Sequence, residues 1–187
     1  YGTFCPIFRA HGRRYPGDTK APNELWAYGP EVQRICTDFI KLRYRLLPYI
    51  YTLSDRVTCE HYTPMRLLAF DFPQDEKVLD CKDQFMYGPA LLVCPILEAG
   101  ATSRSVYLPE GHTWFDFWTG KKYQGGITVM AEASLSTMPL FVKAGSIIPY
   151  YMSVEKNINT DIPLEIHVFT GEDAIFNLYE DDGETIE

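Results

Sequence analysis

Arg9 and His11, in the stretch FCPIFRAHGRR, are the first side chains in this sequence whose types and spacing suit chemistry. An apolar run ends there in a guanidinium, an imidazole and two further cations. A strand has a side-chain period of two, so a buried strand from Phe4 to Phe8 continuing to Ala10 carries Arg9 and His11 out on one face. Two polar groups then converge at one strand end, which is where (β/α) barrels keep their chemistry. The competing explanation is plain: an arginine near a histidine is common, and an arginine is usually satisfied by a nearby carboxylate. The flanking sequence has to decide.

After His11 comes the segment GRRYPGDTKAPNELWAYGP, whose three glycines and three prolines among charges predict a long loop. Loops of that length in compact domains are mostly functional or disordered. Pro30 and Glu31 then stand as a helix start, succeeded by Ile35, Phe39, Leu42, Leu46, Ile50 and Leu53 at spacings of three or four. The spacing predicts a long amphipathic helix, with a kink or break near Leu47 because Pro48 removes a backbone donor. Strand, loop and helix in that order match the last βα unit of a barrel.

From about Gln84 the texture changes to short runs separated by turn residues: FMYGPALLVCPIL, RSVYLPEG, TWFDFWTGKKYQGG, ITVMAEA and PLFVKAGSIIPYY. That spacing predicts an antiparallel β-sandwich. The polar stretch MSVEKNINTDI reads as a linker. PLEIHVFTGEDAIFNLYEDDGETIE then offers two more strands joined by TGED and a turn at DDG, and stops in mid-pattern, as a chain cut from something larger would.

Composition narrows the function classes. A formal charge of -8, from 25 acidic and 17 basic side chains without a long basic stripe, argues against a nucleic-acid surface and favours a neutral substrate. The five cysteines, at 5, 36, 59, 81 and 94, are odd in number and lack CxxC spacing, so buried free thiols are expected. The four histidines form no HxxxH or HExxH pair, and neither a metal nor another cofactor is implied. No run approaches the ~20 apolar residues of a membrane span. The opening residues lack an initiator methionine and a leader pattern, so compartment is not readable, and neither is the oligomeric state.

The ordered blocks FCPIFRAHG, ELWAYGPEV, IKLRYRLLPYIYTL, QFMYGPALLVCPI, WFDFWTG, PLFVKAGSIIP and LYEDDG together resemble glycoside hydrolase family 31. The likeness runs through nearly the whole chain, and GTFCPIFRAHG with ELWAYG is similar to the family's α-xylosidase-like branch. It implies an α/β plus all-β architecture: the terminal βα unit of a (β/α)8 barrel over residues 1–80, a proximal β-sandwich over 81–150 and the beginning of a distal β-sandwich over 151–187. It also implies retaining hydrolysis of α-xylosides or α-glucosides, with an oligosaccharide or glycoside as partner and the rest of the same polypeptide upstream. Hydrolysis, transfer and elimination share a nucleophile on such a scaffold, so the product class is not read from these residues. The different class of reading is a non-catalytic carbohydrate-binding or structural β module.

The family's catalytic carboxylates lie upstream of the opening motif, so none is expected in this chain. By the resemblance, His11 matches the histidine that hydrogen-bonds sugar hydroxyls in the -1 subsite, for which an imidazole able to donate and accept is suited. Arg9 matches the motif's arginine, expected to support the site by orienting nearby carboxylates. Asp18 and Glu24 sit in the loop, a poor place to hold a nucleophile. Asp71, Asp116 and the Glu180-Asp181-Asp182 run are expected in caps, turns and solvated faces. Trp26 and Tyr28 are read equally as sugar contacts or as loop packing. In WFDFWTG, alternation puts Trp114, Asp116 and Trp118 on one strand face and Phe115 and Phe117 on the other, and core packing is the favoured role. Arg43 and Arg45 read as cations snorkelling beside a buried helix stripe.

Overall fold

The computed structural model describes residues 1–11, 22–154 and 162–184. Two helices succeed each other. α1 covers Pro30–Arg45 and α2 covers Leu47–Glu60. Gly29, at φ 94, precedes the first turn, where Pro30 loses nothing by lacking an N–H and Glu31 faces the positive end of the helix dipole. The break falls at Leu46 (φ -78, ψ 0), because Pro48 has no N–H to offer the carbonyl four residues back. The apolar stripe continues through it: Ile35, Leu46, Tyr49, Ile50 and Leu53 are buried.

Apart from a one-turn helix at Leu68–Asp71 and short 3-10 turns, the remaining elements are strands, nearly all beyond residue 84. β1 (Met65–Arg66), β2 (Phe85–Tyr87), β3 (Leu91–Val93), β5 (Thr113–Asp116), β6 (Lys122–Gln124) and β8 (Leu140–Lys143) form one antiparallel sheet in the order β1-β2-β3-β8-β5-β6. β4 (Ser103–Leu108) pairs with β7 (Ile127–Glu132), from Ser103 opposite Glu132 to Leu108 opposite Ile127. β9 (Ser146–Tyr151) pairs with β10 (Leu164–Phe169), from Ser146 opposite Phe169 to Tyr151 opposite Leu164.

Strand alternation divides the core into two. Phe85, Tyr87, Leu91, Val93, Phe115, Leu140 and Val142 point from the six-stranded sheet toward the helices, where they meet Leu46, Tyr49, Ile50 and Leu53. Met86, Leu92, Trp114 and Phe141, the residues between them, point the other way and pack on Val106, Leu108 and Ala131 of the β4–β7 ribbon. The sheet is therefore covered on both faces, which is why its strands read as continuous apolar runs such as ALLVC. All described strand pairs are antiparallel, and the ribbon packed on the sheet is consistent with a β-sandwich.

Two expected strands are not formed. From Phe4 to Ala10 the chain has a 3-10 turn at Gly2–Phe4 and then irregular backbone. A strand exists only through a neighbour that accepts its N–H groups and donates to its carbonyls, and no described residue pairs with this segment. The last run, IFNLYE, is likewise without a strand partner among the described residues, so TGED joins β10 to an irregular segment.

Candidate functional site

Arg43, in the last turn of α1, fixes the segment that leads to His11. Its Nη1 donates to the carbonyls of Thr3 at 2.6 Å and Cys5 at 2.8 Å, and its Nη2 to that of Pro6 at 3.2 Å. A planar fork with several fixed donors is suited to three carbonyls fanned along an irregular backbone, where a strand neighbour would otherwise serve. Phe4 is fully buried, its ring edge-on to Tyr87 at 6.3 Å, and the Phe8 ring lies 5.7 Å from the Arg43 guanidinium. The backbone is thus held from Thr3 to Pro6, and residues Pro6 to His11 are exposed.

On this exposed stretch Arg9 and His11 meet. Arg9 Nη2 donates to His11 Nδ1 at 2.9 Å. The expectation that the two side chains lie together is met, although by irregular backbone and not by a strand end. What their arrangement can do is limited and specific: on an exposed residue, one imidazole nitrogen is engaged by a cation and the other is left to meet a ligand.

The loop candidates divide. Asp18 lies outside the described residues, as does most of the loop. Glu24 is exposed and precedes a 3-10 turn at Leu25–Tyr28 that packs on α1, and its carboxylate makes no capping bond there. Trp26 and Tyr28 in that turn are 65% and 41% exposed, and the Tyr28 hydroxyl donates to Asn23 Oδ1 at 2.8 Å.

Three of the later carboxylates hold the fold. Asp71 takes Arg66 Nε at 3.0 Å on both oxygens. Asp116 Oδ1 accepts from the N–H groups of Trp118 and Thr119 and from the Thr119 hydroxyl, which closes the turn after β5. Asp181 accepts the hydroxyls of Tyr51 at 2.5 Å and Tyr179 at 3.1 Å and the N–H of Gly183.

The Tyr51 hydroxyl hydrogen bond holds the Asp181 carboxyl below the usual range, and the same bond raises Tyr51 from its ordinary 10.0 to about 12. For a raised group the sign is fixed: the contact's stabilisation is complete below pH 10 and lost as pH rises through about 12. A difference titration of phenolate absorbance, wild type against Tyr51→Phe, should therefore show a component midway near pH 12; a component near 10 would mean that the contact is not made.

Sequence reasoning missed one buried carboxylate and the work of two arginines. Asp75, not Asp71, is the buried acid of FDFPQDE; it accepts from the N–H of Lys77, the N–H of Glu110 and the hydroxyl of Tyr107. Arg45 reaches Tyr151 O at 3.1 Å and Glu165 at 2.7 Å, so it ties α1 to β9 and β10 and does not snorkel. The WFDFWTG reading is corrected in one respect. Trp114 is buried in the strand, but β5 ends at Asp116, so Trp118 stands in the turn and sends its indole N–H to Met138 O at 2.8 Å. Among the described residues no group of three or more His, Cys, Asp or Glu side chains is disposed to hold a metal ion, and no helix is long and apolar enough to cross a membrane.

Comparison with known proteins bears on both halves of this architecture. Residues 1–53 match the glycosyl hydrolases family 31 TIM-barrel domain, and residues 61–148 match the glycosyl hydrolase family 31 C-terminal domain. An alpha-xylosidase of Saccharolobus solfataricus is 40% identical over 100% of this chain and 25% of its own length. A crystal structure of a family 31 alpha-xylosidase from Xanthomonas citri superposes with a TM-score of 0.88 at 44% identity, over 97% of this chain and 20% of that one. A Flavobacterium johnsoniae family 31 dextranase, solved with glucose, gives 0.81 at 38% identity, over 87% and 20%. The chain thus spans about a quarter or less of the proteins it matches. With the two-helix segment before the sheet matching one domain of the family and the sheet itself matching the next, in the family's order, this chain belongs to glycosyl hydrolase family 31.

Proposed function

We propose that the chain is the carboxyl-terminal part of a retaining α-glycoside hydrolase acting on α-xylosides or α-glucosides, with His11 hydrogen-bonding hydroxyls of the sugar in the -1 subsite. The observation that carries this reading is the Arg9–His11 pair, presented to solvent on a segment that Arg43 fixes from behind. In the same reading residues 1–80 complete the barrel, 81–150 form the proximal sandwich and 151–187 begin the distal one. The kinship with enzymes named for α-xyloside and α-glucan hydrolysis supports the substrate class.

Retaining hydrolysis needs two carboxyl groups about 5–5.5 Å apart, one to attack the anomeric carbon and one to protonate the leaving oxygen. Here they belong to the polypeptide upstream. Asp71, Asp116 and Asp181, each held by fixed donors, are structural acids in this scheme. The chain by itself is then inactive. A binding module would instead need an aromatic platform on the sandwich, and both tryptophans of WFDFW hold the fold, Trp114 by burial and Trp118 through its bond to Met138.

The test is hydrolysis of aryl α-xyloside and aryl α-glucoside by the full-length polypeptide, tracking the anomer released. Release of the α-sugar establishes retention and the preferred substrate; turnover by the 187-residue chain alone would sink the scheme. In the full-length enzyme His11→Ala should lower kcat/KM by on the order of 1–3 kcal/mol, the worth of one or two hydroxyl contacts that tighten in the transition state. An unchanged value would take His11 out of the site.

A further inference from the structure

We infer that Arg9 is a positioning residue that fixes the polarity of His11, making the imidazole a hydrogen-bond donor only, through Nε2, toward whatever oxygen it meets. The inference rests on the proposed sugar site for its function, but not for its geometry.

A guanidinium carries N–H donors and no acceptor, and it stays charged at any pH at which the protein is folded. Arg9 Nη2 stands 2.9 Å from His11 Nδ1, a normal hydrogen-bond distance. The hydrogen lies on the arginine, so Nδ1 contributes a lone pair and carries no proton. A neutral imidazole has one N–H, and it must then be on Nε2. An imidazolium has no lone pair left for the arginine and would set two cations against each other. The histidine left to itself presents either face to a ligand; with Arg9 in place it presents one.

This changes what the sugar contact is. A hydroxyl meeting His11 accepts from Nε2–H and keeps its own hydrogen for a different partner, such as a carboxylate across the pocket. It also assigns Arg9 a role through His11. The arginine supports the site by setting which nitrogen holds a proton, whereas the resemblance had suggested carboxylate orientation. No described carboxylate is paired with Arg9 in the structure.

The test uses the full-length polypeptide labelled with ¹⁵N-histidine and read by a long-range ¹H–¹⁵N spectrum, His11 being assigned by His11→Gln. The wild type should show the Nε2–H pattern. Free imidazole already leans that way, so the decisive variant is Arg9→Glu, in which a carboxylate accepts from Nδ1–H and inverts the pattern. Arg9→Lys retains a cationic donor and should retain the Nε2–H pattern; Arg9→Met should give averaged nitrogen shifts. Nδ1–H in the wild type, or no inversion in Arg9→Glu, overturns the inference.

In the full-length enzyme Arg9→Glu should lower kcat/KM by roughly tenfold to a hundredfold, as His11→Ala does, with Arg9→Lys close to wild type. An Arg9→Lys as poor as Arg9→Glu, despite the Nε2–H pattern, would overturn the functional part. The inverted spectrum together with a His11→Ala enzyme of full activity would remove the sugar contact and leave the tautomer assignment standing. The two failures are thus separable.

Discussion

Replacing Arg43 by Met should destabilise the chain by about 2–4 kcal/mol and release the segment that carries Arg9 and His11. Hydrogen bonds from a charged group are worth about 1.5–3 kcal/mol each, and Arg43 donates to three carbonyls. The sum is not realised in full, because the carbonyls differ in what they lose. Thr3 is buried, so its carbonyl pays a desolvation cost without the arginine; Pro6 is exposed, so its carbonyl recovers a water. Thermal unfolding monitored by far-UV circular dichroism checks it, with a fall of roughly 2–4 °C in Tm for each kcal/mol in a chain of this size.

Arg43→Lys discriminates between charge and fork. An ammonium keeps the favourable charge at the helix C-terminus but is a point donor, unable to span Thr3, Cys5 and Pro6 together. It should recover less than half of the loss. Full recovery would mean that the dipole interaction, not the carbonyl fan, is what Arg43 supplies. Under the proposed function, Arg43→Met in the full-length polypeptide should also reduce kcat/KM, since the backbone preceding Arg9 and His11 would lose its anchor.

The same residue shows where sequence reading stops. The helix break at Pro48 was legible because it is local: a missing N–H acts on the carbonyl four residues away. The antiparallel strands beyond Gln84 were legible because their short apolar runs are separated by local turn residues; the strand order and the burial of both sheet faces, which runs such as LLVC reflect, were not. The acceptors of Arg43 are 37 to 40 residues away in sequence, and Glu165 is 120 residues from Arg45. Nothing in RYRLLPYIY distinguishes a clamp from a solvated cation. The opening strand failed for the opposite reason. Its residue pattern is that of a strand, but a strand is a relation between two segments and one segment was being read. Arg9 and His11 came together all the same, since two side chains so close in sequence need only an extended path.

Gly88→Ala should cost about 3–4 kcal/mol, although it adds a single methyl. Gly88 adopts φ 63, a region where an ordinary residue pays about 1–2 kcal/mol. The added Cβ would also stand 2.2 Å from the Tyr49 hydroxyl and 2.8 and 2.9 Å from the Leu53 methyls, and overpacking a filled core typically costs a further 1–3 kcal/mol. Neither neighbour is able to swing away. Tyr49 and Leu53 are fully buried in α2, and the Tyr49 hydroxyl donates to Tyr87 O at 2.9 Å while accepting from Ala90 N–H at 3.3 Å. This glycine is where the barrel-side helix meets the sheet, so the seam between the two matched domains depends on a missing side chain. Tyr49→Phe provides the control. Alone it strands two buried backbone groups, at about 1–3 kcal/mol each. Combined with Gly88→Ala it also removes the atom in closest conflict, so the double variant should be more stable than the sum of the single losses predicts. Strict additivity in urea unfolding would place the cost of Gly88→Ala in backbone strain and Leu53 alone, and would remove the Tyr49 hydroxyl from the account of how the seam is set.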